Sequence, residues 1–235
     1  MNVEVAVPVP VDHTFTYEVP ETVGTPKIGT RAIVPFGRRT VTGVIVAINS
    51  EPDAGDENIR RSIKPISRVL DDDPLFDPSY LDLARWVSRT YVSTFGETLS
   101  AMLPSARRGR EIPEATGDEP ESEPQRIVLS DEQETAIEGI RRPTDAHTDG
   151  WYYLYGITGS GKTEVFLRVA ERTIAEGYDV IYLVPEIALT HQLFEHISKR
   201  FGGCVAMLHS GLTAAQRLGE WRRVLRREAR LVVGA

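Results

Sequence analysis

Apolar and polar residues alternate along the first 70 positions of the chain. The runs 3–7 and 15–19 place an apolar residue at every second position, and similar runs follow at 31–35, 40–48 and 63–69. A period of two predicts β-strands with one buried face, and glycine and proline between the runs indicate turns. Short strands at this spacing are typical of a small barrel or a sandwich.

The period changes to that of a helix between Pro74 and Pro104. Apolar residues recur three and four positions apart, which predicts a helix that begins near Asp77 or Ser79 and a second, short helix over 97–102. The apolar stripe of the first helix comprises Tyr80, Leu81, Leu83, Ala84, Val87 and Tyr91. We expect both helices to pack on the β-rich domain.

Helices and apolar strands alternate after residue 126. The pattern predicts, in order, a helix at 131–141, a strand at 151–155, a helix at 163–176, a strand at 180–184, a helix at 187–201, a strand at 205–208, a helix at 213–227 and a strand at 231–233. This alternation predicts a parallel sheet covered by helices, with ligands at the carboxyl ends of its strands. Because the pattern stops after the last strand, we expect a fragment.

Acidic residues and prolines dominate the segment between these regions. Residues 111–124, EIPEATGDEPESEP, offer few apolar side chains for a core, which predicts a solvated linker, with an acidic decoy for a basic partner as the less favoured interpretation. The sequence therefore predicts an α+β region followed by an α/β region. The predicted domains are a β-rich domain with appended helices at 1–109 and an incomplete parallel α/β lobe at 126–235, joined by a linker at 110–125.

Composition changes this picture little. The 235 residues carry a net charge of −7 and are 41% hydrophobic, which is ordinary for a globular protein and argues weakly against one that coats nucleic acid. No apolar run approaches the roughly 20 residues of a membrane span, and the N-terminus lacks the features of a signal peptide. We therefore expect a cytoplasmic location and no membrane partner.

The most informative stretch is GITGSGKT, from Gly156 to Thr163. It fits the phosphate-loop pattern, in which backbone N–H groups surround phosphate oxygens, Lys162 contacts the β- and γ-phosphates, and the Thr163 hydroxyl binds Mg²⁺. A predicted strand before the loop and a predicted helix after it are the context that this pattern requires. The stretch thus predicts a bound nucleotide.

Arginines cluster near the end of the chain. They are Arg222, Arg223, Arg226, Arg227 and Arg230. Helical spacing would gather several of them on one face, as a track for nucleic-acid phosphates requires. Glu220 and Glu228 lie among them, so a solvated helix face is the favoured interpretation.

Four further segments accompany the phosphate loop in a characteristic order. They are LSDEQ at 129–133, LVPEIALT at 183–190, LHSGL at 208–212 and VVGA at 232–235. With the phosphate loop they resemble the first, RecA-like lobe of the PriA family of bacterial replication-restart helicases, in superfamily 2. VPVPVDHTFTYEVP and RAIVPFGRRTVTGVIV, near the N-terminus, resemble that family's domain for the 3′ end of DNA.

The resemblance implies an ATP-driven 3′-to-5′ DNA helicase that recognises abandoned replication forks and loads other primosome proteins, with single-stranded DNA-binding protein as a further partner. It implies that ATP and Mg²⁺ are held by Gln133, Gly156, Ile157, Thr158, Gly159, Ser160, Gly161, Lys162 and Thr163, with Gln133 on adenine and with Lys162 and Thr163 as catalytic residues. It places Pro185, Glu186, Thr190, His209, Ser210 and Gly211 along a track for single-stranded DNA. It assigns Phe15, Thr16, Gly37 and Lys64 to a pocket for the 3′-terminal nucleotide.

Residue chemistry by itself leaves alternatives open at several of these positions. A base stacked on Phe15 would contribute roughly 1–3 kcal/mol, but the alternating pattern fits a core aromatic equally well. Thr16 stands where the family often has aspartate, which puts that base contact in question. Gln133 fits an ordinary glutamine at a helix start, and His209 fits an ordinary loop histidine better than a catalytic one.

The chain also departs from the family pattern. Residues 164–235 contain no acidic motif of the DExH type, and the second helicase lobe and the cysteine-rich zinc module are absent, so zinc is expected only in a missing C-terminal part. Because phosphoryl transfer needs several positioned charges together, we expect these residues alone to bind nucleotide poorly and to hydrolyse it hardly at all. A DNA-binding module with a vestigial phosphate loop is the main alternative. A small nucleotide kinase would leave LHSGL and the N-terminal domain unexplained.

Overall fold

The structure, a computed structural model, describes residues 1–49, 63–106, 128–140, 150–185 and 191–234. By their contacts, residues group into two units, one formed by Met1–Glu111 with Leu212–Leu225 and the other by Ile112–Gly211 with Arg226–Ala235. The segment 212–225 thus belongs by its contacts to the first unit, although its place in the sequence is within the predicted α/β lobe. The predicted linker at 110–125 lies outside the described residues, and the domain boundaries stay predictions.

The elements follow the predicted order closely. The strands are β1 (Asn2–Ala6), β2 (Phe15–Glu18), β3 (Arg31–Phe36), β4 (Arg39–Asn49), β5 (Arg68–Val69), β6 (Val180–Leu183), β7 (Val205–Leu208) and β8 (Leu231–Gly234). The helices are α1 (Ser79–Thr90), α2 (Phe95–Met102), α3 (Asp131–Gly139), α4 (Lys162–Ala175), α5 (His191–Phe201) and α6 (Ala214–Leu225). The part of the predicted helix at 187–190 lies outside the described residues.

The sheet of the first unit curls until its two edges meet. Its strands lie in the order β2-β1-β4-β3-β5, and all neighbours are antiparallel. The backbone N–H of Glu18 donates to the carbonyl of Lys64 at 3.0 Å, and the N–H of Ile66 donates to the carbonyl of Glu18 at 2.9 Å. These bonds close a small barrel, which is one of the two predicted forms. Only Arg68–Val69 of the predicted strand at 63–69 is regular strand, because residues 64–66 bond to β2 instead.

The alternating pattern accounts for the core inside this barrel. Its buried members are Val3, Val5, Val7, Val9, Tyr17, Val19, Ala32, Val34, Ile45 and Ile66. Residues two apart on a strand face the same side, so the period of two places the apolar set inside. The Tyr17 hydroxyl, at the edge of this core, donates to the carbonyl of Pro35 at 3.1 Å.

A second core covers the outer face of the same sheet. Its buried members are Ala6, Val44, Val46, Leu75, Phe76, Leu81, Ala84, Leu99, Leu103 and Leu218. Helix α6 belongs to this core through Leu218, which is fully buried, and through Trp221, whose indole N–H donates to the carbonyl of Leu75 at 2.7 Å. The indole ring of Trp221 also meets the ring of Tyr80 edge-on, with centroids 6.1 Å apart.

The predicted apolar stripe of α1 is only partly buried. Leu81 and Ala84 enter the second core, whereas Leu83 and Tyr91 are exposed. Tyr91 follows the last residue of α1, and Leu83 lies on the side of the helix away from Leu81 and Ala84. Helical spacing identified the buried face, but it overestimated how far that face extends.

A buried ion pair fixes the first unit where its helices meet the barrel. Arg31 on β3 donates from Nε and Nη2 to the two carboxylate oxygens of Asp71 at 2.8 and 2.7 Å, and both side chains are almost fully buried. Nη1 of Arg31 donates to the carbonyls of Pro104 and Ala106, each at 2.6 Å. Arg222 on α6 donates to Asp71 at 3.3 Å.

The second unit contains a parallel sheet of strand order β6-β8-β7. Its core consists of Leu167 from α4, Ile197 from α5, and Val205, Met207, Leu231 and Val233 from the sheet. The helical coverage predicted for this sheet is incomplete in the described residues, because Ile181 and Leu183 on β6 remain exposed.

The predicted buried strand at 151–155 is wrong. None of the described strands pairs with these residues, and Trp151, Tyr153 and Tyr155 are more than 80% exposed. An aromatic run forms a strand only when another strand supplies hydrogen bonds, so strand propensity did not decide the outcome here. Instead, residues 152–154 line a cavity of about 230 Å³ together with Ala136, Gly139 and Ile140 of the α3 region.

Across the described ranges, no helix combines the length and the apolar character needed to cross a membrane. The cytoplasmic location predicted from the sequence stays a prediction.

We predict that Asp71→Ala strongly destabilises the first unit. The substitution leaves the Arg31 guanidinium buried without its anion, which typically costs about 3–5 kcal/mol of unfolding free energy. Urea unfolding followed by tryptophan fluorescence measures this loss. Asp73→Ala is the matched control, because Asp73 pairs with Lys27 at 2.8 Å on the surface and exposed pairs contribute little. Equal losses in the two variants would contradict the assignment.

Candidate functional site

The phosphate loop turns into α4 through a glycine that no other residue type would replace easily. Gly161 caps the helix in the left-handed conformation, with φ 77° and ψ 22°. A Cβ atom at Gly161 would also collide with the side-chain nitrogen of Gln133. Glycine is therefore favoured here for two reasons: it adopts the left-handed backbone conformation easily, and it leaves room for the side chain of Gln133.

Lys162 and Thr163 occupy the first turn of α4. The Lys162 ammonium donates to the carbonyls of Gly156 and Ile157 at 2.6 and 2.8 Å, so the side chain curls back over the loop. Thr163 and loop residues 157–160 are exposed. The first N–H groups of a helix lack intrahelical acceptors and carry a partial positive charge, so this end of α4 suits an anion.

These residues fit a nucleoside triphosphate with Mg²⁺. The loop is open to solvent, its glycines allow close approach of the backbone, and Lys162 can exchange two neutral carbonyl acceptors for charged phosphate oxygens. Thr163 would supply the hydroxyl for the metal ion.

Gln133 connects α3 to the phosphate loop. Its Nε2 donates to the carbonyl of Ser160 at 3.1 Å, while its Oε1 accepts the backbone N–H of Ser130 at 2.9 Å. Ser130 in turn caps the N–H of Gln133, which completes a capping box. Gln133 is thus both the helix-start residue that its sequence position suggests and a direct contact of the loop.

A partly buried ionic cluster begins at the residue that follows Thr163, and sequence reasoning missed it. Glu164 follows Thr163, and its carboxylate accepts from Arg200 on α5 at 2.7 and 3.0 Å and from Arg168 at 2.9 Å. Arg200 also donates to both carboxylate oxygens of Glu171, at 2.6 and 2.9 Å. The spacing of Glu164, Arg168 and Glu171 on one helix face was visible in the sequence, but the partner from α5 was not.

The cluster perturbs the ionisation of its members. Burial raises the pKa of the Glu164 carboxyl group, but the hydrogen bonds and charges of Arg200 and Arg168 outweigh burial and lower the pKa below its ordinary value of 4.5. The pKa of Arg200 is raised above its ordinary value, chiefly by the hydrogen bonds to Glu171. Burial lowers the pKa, and the hydrogen bonds to Glu164 raise it further. Both groups are therefore charged at neutral pH.

Two of the four predicted pocket residues, Phe15 and Gly37, lie close together in the first unit. Phe15 forms an aromatic pair with Phe36, and Gly37 is the next residue after Phe36. The rings of Phe15 and Phe36 meet edge-on with centroids 5.2 Å apart, and His13 packs on Phe15 at 4.4 Å. Gly37 follows Phe36 in the turn to β4 with φ 60°, and no atom of the described residues lies within 4 Å of where its Cβ would be. The sequence did not single out Phe36, although an aromatic residue directly before a turn glycine was a usable signal.

The other two pocket candidates are placed differently. Thr16 alternates with Phe15 along β2, and its hydroxyl donates to Glu4 at 2.6 Å, while Thr14 donates to the second oxygen of Glu4 at 2.8 Å. Lys64 is exposed at the seam of the barrel, where its carbonyl accepts from Glu18. The Thr16 side chain therefore points to the opposite face of the strand from Phe15.

The candidates for a single-stranded track are only partly described. Pro185 is exposed after β6, whereas Glu186 and Thr190 lie outside the described residues. His209, Ser210 and Gly211 form a turn after β7, in which the N–H of Gly211 donates to Nδ1 of His209 at 3.2 Å.

Four of the five arginines in the cluster lie beside acidic partners. Arg223 pairs with Glu220 at 2.9 Å, Arg230 pairs with Asp179 at 3.0 Å, and Arg226 lies 3.8 Å from Glu228. With Arg222 on Asp71, this arrangement favours the solvated and structural interpretation over a phosphate track.

Two family models match the chain. Residues 4–104 match the PriA 3′DNA-binding domain, and residues 130–235 match the DEAD/DEAH box helicases. The replication restart protein PriA of Treponema pallidum is 41% identical over 99% of this chain and 35% of its own length. PriA of Haemophilus influenzae is 27% identical over 99% of this chain and 41% of its own length. PriA of Bacillus subtilis is 47% identical over 46% of this chain and 14% of its own length.

These matches and the two folds define the class: a 3′DNA-binding domain followed by part of a RecA-like lobe of the DEAD/DEAH helicase type. The chain belongs to the PriA family of replication restart proteins. It spans 35% and 41% of the length of the two relatives that it matches along 99% of its own residues. Helicases of this class use ATP and Mg²⁺, and the domain match supports DNA binding by the first unit.

We predict that Glu164→Gln lowers the free energy of unfolding at pH 7. The difference in unfolding free energy between the variant and the unsubstituted chain should become smaller below about pH 4.5. A carboxylate with a depressed folded-state pKa contributes stability above its unfolded pKa and loses it as the pH falls through the folded value. Urea unfolding between pH 7 and pH 3 measures the difference. Glu176→Gln, on an exposed pair at the far end of α4, is the control. A difference that is constant with pH would contradict the prediction.

We predict that Gln133→Ala weakens ATP binding by about threefold to tenfold. This is the usual contribution of one hydrogen bond, here the one expected between Gln133 and adenine. Titration with a fluorescent ATP analogue measures the dissociation constant. Ser130→Ala is the matched control, since it removes the capping hydroxyl but keeps the contact between Gln133 and Ser160. Equal weakening in both variants would show that only the helix cap matters.

Proposed function

We propose that this chain is the part of a replication-restart helicase that captures the 3′ end of DNA and binds ATP. The observation that carries the proposal is the presence of both modules in one chain, in the same order as in relatives that match 99% of it. In the complete protein, ATP hydrolysis would drive 3′-to-5′ movement on single-stranded DNA after capture of a fork.

The aromatic pair supports the proposed capture of a terminal nucleotide. Phe15 is only partly buried: its ring meets Phe36 edge-on and packs against the barrel core, and a base would stack on the exposed part of the ring. The turn at Gly37 is open, which leaves room for the sugar and its terminal hydroxyl. Lys64 would attract the phosphate from the barrel seam. Because the Thr16 side chain bonds to Glu4, any contact of Thr16 with DNA would use its backbone.

The phosphate loop supports the proposed ATP site. Lys162 would bind the β- and γ-phosphates, the glycines would allow the backbone N–H groups to approach them, and Gln133 would meet adenine from α3. Mg²⁺ would neutralise phosphate charge, with Thr163 as its ligand. For these 235 residues by themselves, we propose weak nucleotide binding with little hydrolysis, because the sequence carries no DExH-type acidic motif.

The remaining candidates complete the proposal. We assign Pro185, Glu186, Thr190, His209, Ser210 and Gly211 to contact with single-stranded DNA. Fork structures, other primosome proteins and single-stranded DNA-binding protein are the proposed partners, and the cytoplasm is the proposed location.

Binding to matched DNA forks tests the proposed function. We expect fluorescence anisotropy to show tighter binding to a fork with a free 3′ end than to one with a phosphate on that end, because the pocket is built around the terminal nucleotide. We expect Phe15→Ala to weaken binding to the free end by about tenfold, in line with the loss of one stacked base.

Two further variants separate stacking from stability. Phe15→Leu keeps apolar packing in the barrel but removes the flat ring, so it should lose the same preference. Trp86→Ala removes an exposed aromatic ring from α1 and should leave the preference unchanged. Equal binding of both forks by the unsubstituted chain would refute 3′-end capture, and free-end preference without any ATP binding would favour a DNA-binding module with a vestigial loop.

A further inference from the structure

Arg200 holds two carboxylates of α4 at once. Its guanidinium makes two hydrogen bonds to Glu164 and two to Glu171, at 2.6 to 3.0 Å. The side chain is 13% exposed and that of Glu164 is 9% exposed. A planar guanidinium supplies donors in a fixed fork, so it can serve two carboxylates in a geometry that an ammonium group cannot match.

The position of Glu164 makes this pairing important for the phosphate loop. Lys162 and Thr163 begin α4, and Glu164 is the next residue, in the same first turn. The positive end of a helix attracts any anion, so an unpaired carboxylate here would oppose phosphate groups and compete for their metal ion. Glu164 is buried and charged, so its carboxylate has little contact with solvent.

The charges of the cluster balance. Glu164 and Glu171 carry two negative charges, and Arg200 and Arg168 carry two positive charges. Removing Arg200 would leave the cluster, which begins in the first turn of α4, with one uncompensated negative charge. Arg168 would still pair with Glu164, but it is also 3.6 Å from Glu171 and cannot neutralise both.

We propose that Arg200 is a positioning residue for the nucleotide site: it neutralises Glu164 and holds it back, so that the positive end of α4 is left for phosphate. The role rests on the proposed ATP site and adds a residue from α5 to it. Arg200 acts through Glu164 and does not itself contact nucleotide.

A charge-reversal experiment tests the role. In titrations of the full chain with a fluorescent ATP analogue and Mg²⁺, we expect Arg200→Gln to weaken binding by about tenfold, an effect that shrinks at high salt. Adding Glu164→Gln to Arg200→Gln should restore most of the affinity, although the double variant has lost more hydrogen bonds. A role in stability alone would make the double variant no better than the single one.

Further variants keep the test decisive. Arg200→Lys gives up the forked hydrogen bonds but keeps the positive charge on which the proposed role depends. It should therefore bind within about threefold of the unsubstituted chain, even if Arg200→Gln is too unstable to purify. Arg172→Gln removes an exposed pair from the far end of α4 and should change nothing. Unchanged affinity in Arg200→Gln, failed restoration by Glu164→Gln, or a tenfold loss in Arg200→Lys would each overturn the role of Arg200. Absence of nucleotide binding by the unsubstituted chain would instead overturn the ATP site itself.

Discussion

The left-handed turn at Gly161 is the constraint around which the second unit is arranged. It ends the phosphate loop and begins α4, so that Lys162, Thr163 and Glu164 follow in a single turn. Gln133 fits against the loop only because Gly161 has no Cβ. Further along α4, Leu167 enters the core with strands β7 and β8. One backbone conformation therefore fixes where α4 begins, while Leu167 holds the same helix against the sheet.

Each unit contains an arginine with little exposed surface that binds carboxylates through its forked geometry. Arg31 joins β3 to Asp71 and to the carbonyls that follow α2, and Arg200 joins α5 to two glutamates of α4. Buried ion pairs contribute little net stability, because desolvation offsets their attraction, but they tolerate few alternative arrangements. In each unit the arginine therefore specifies how elements meet, while the apolar cores supply most of the favourable free energy.

The periodic parts of the sequence predicted the fold well. Strand alternation located β1 to β4, and helical spacing located α3 to α6 within a few residues, because the core selects apolar residues at the same period as the backbone. The run at 151–155 failed for the opposite reason: its aromatic composition favours a strand, but no described strand pairs with it. The contribution of α6 to the second core of the first unit was beyond prediction, since Leu218 and Trp221 reach that core from more than 100 positions away in the chain.

By itself, the sequence determined the phosphate loop, the order of the helices and of most strands, and the family, because these depend on local spacing and on motifs that require particular residues. Only the tertiary structure decided that Phe36 joins Phe15, that Thr16 turns towards Glu4, and that Arg200 neutralises Glu164. Those contacts join residues on different strands and helices. The side chains that meet are set by barrel closure and helix packing, and no local pattern of residues encodes either one.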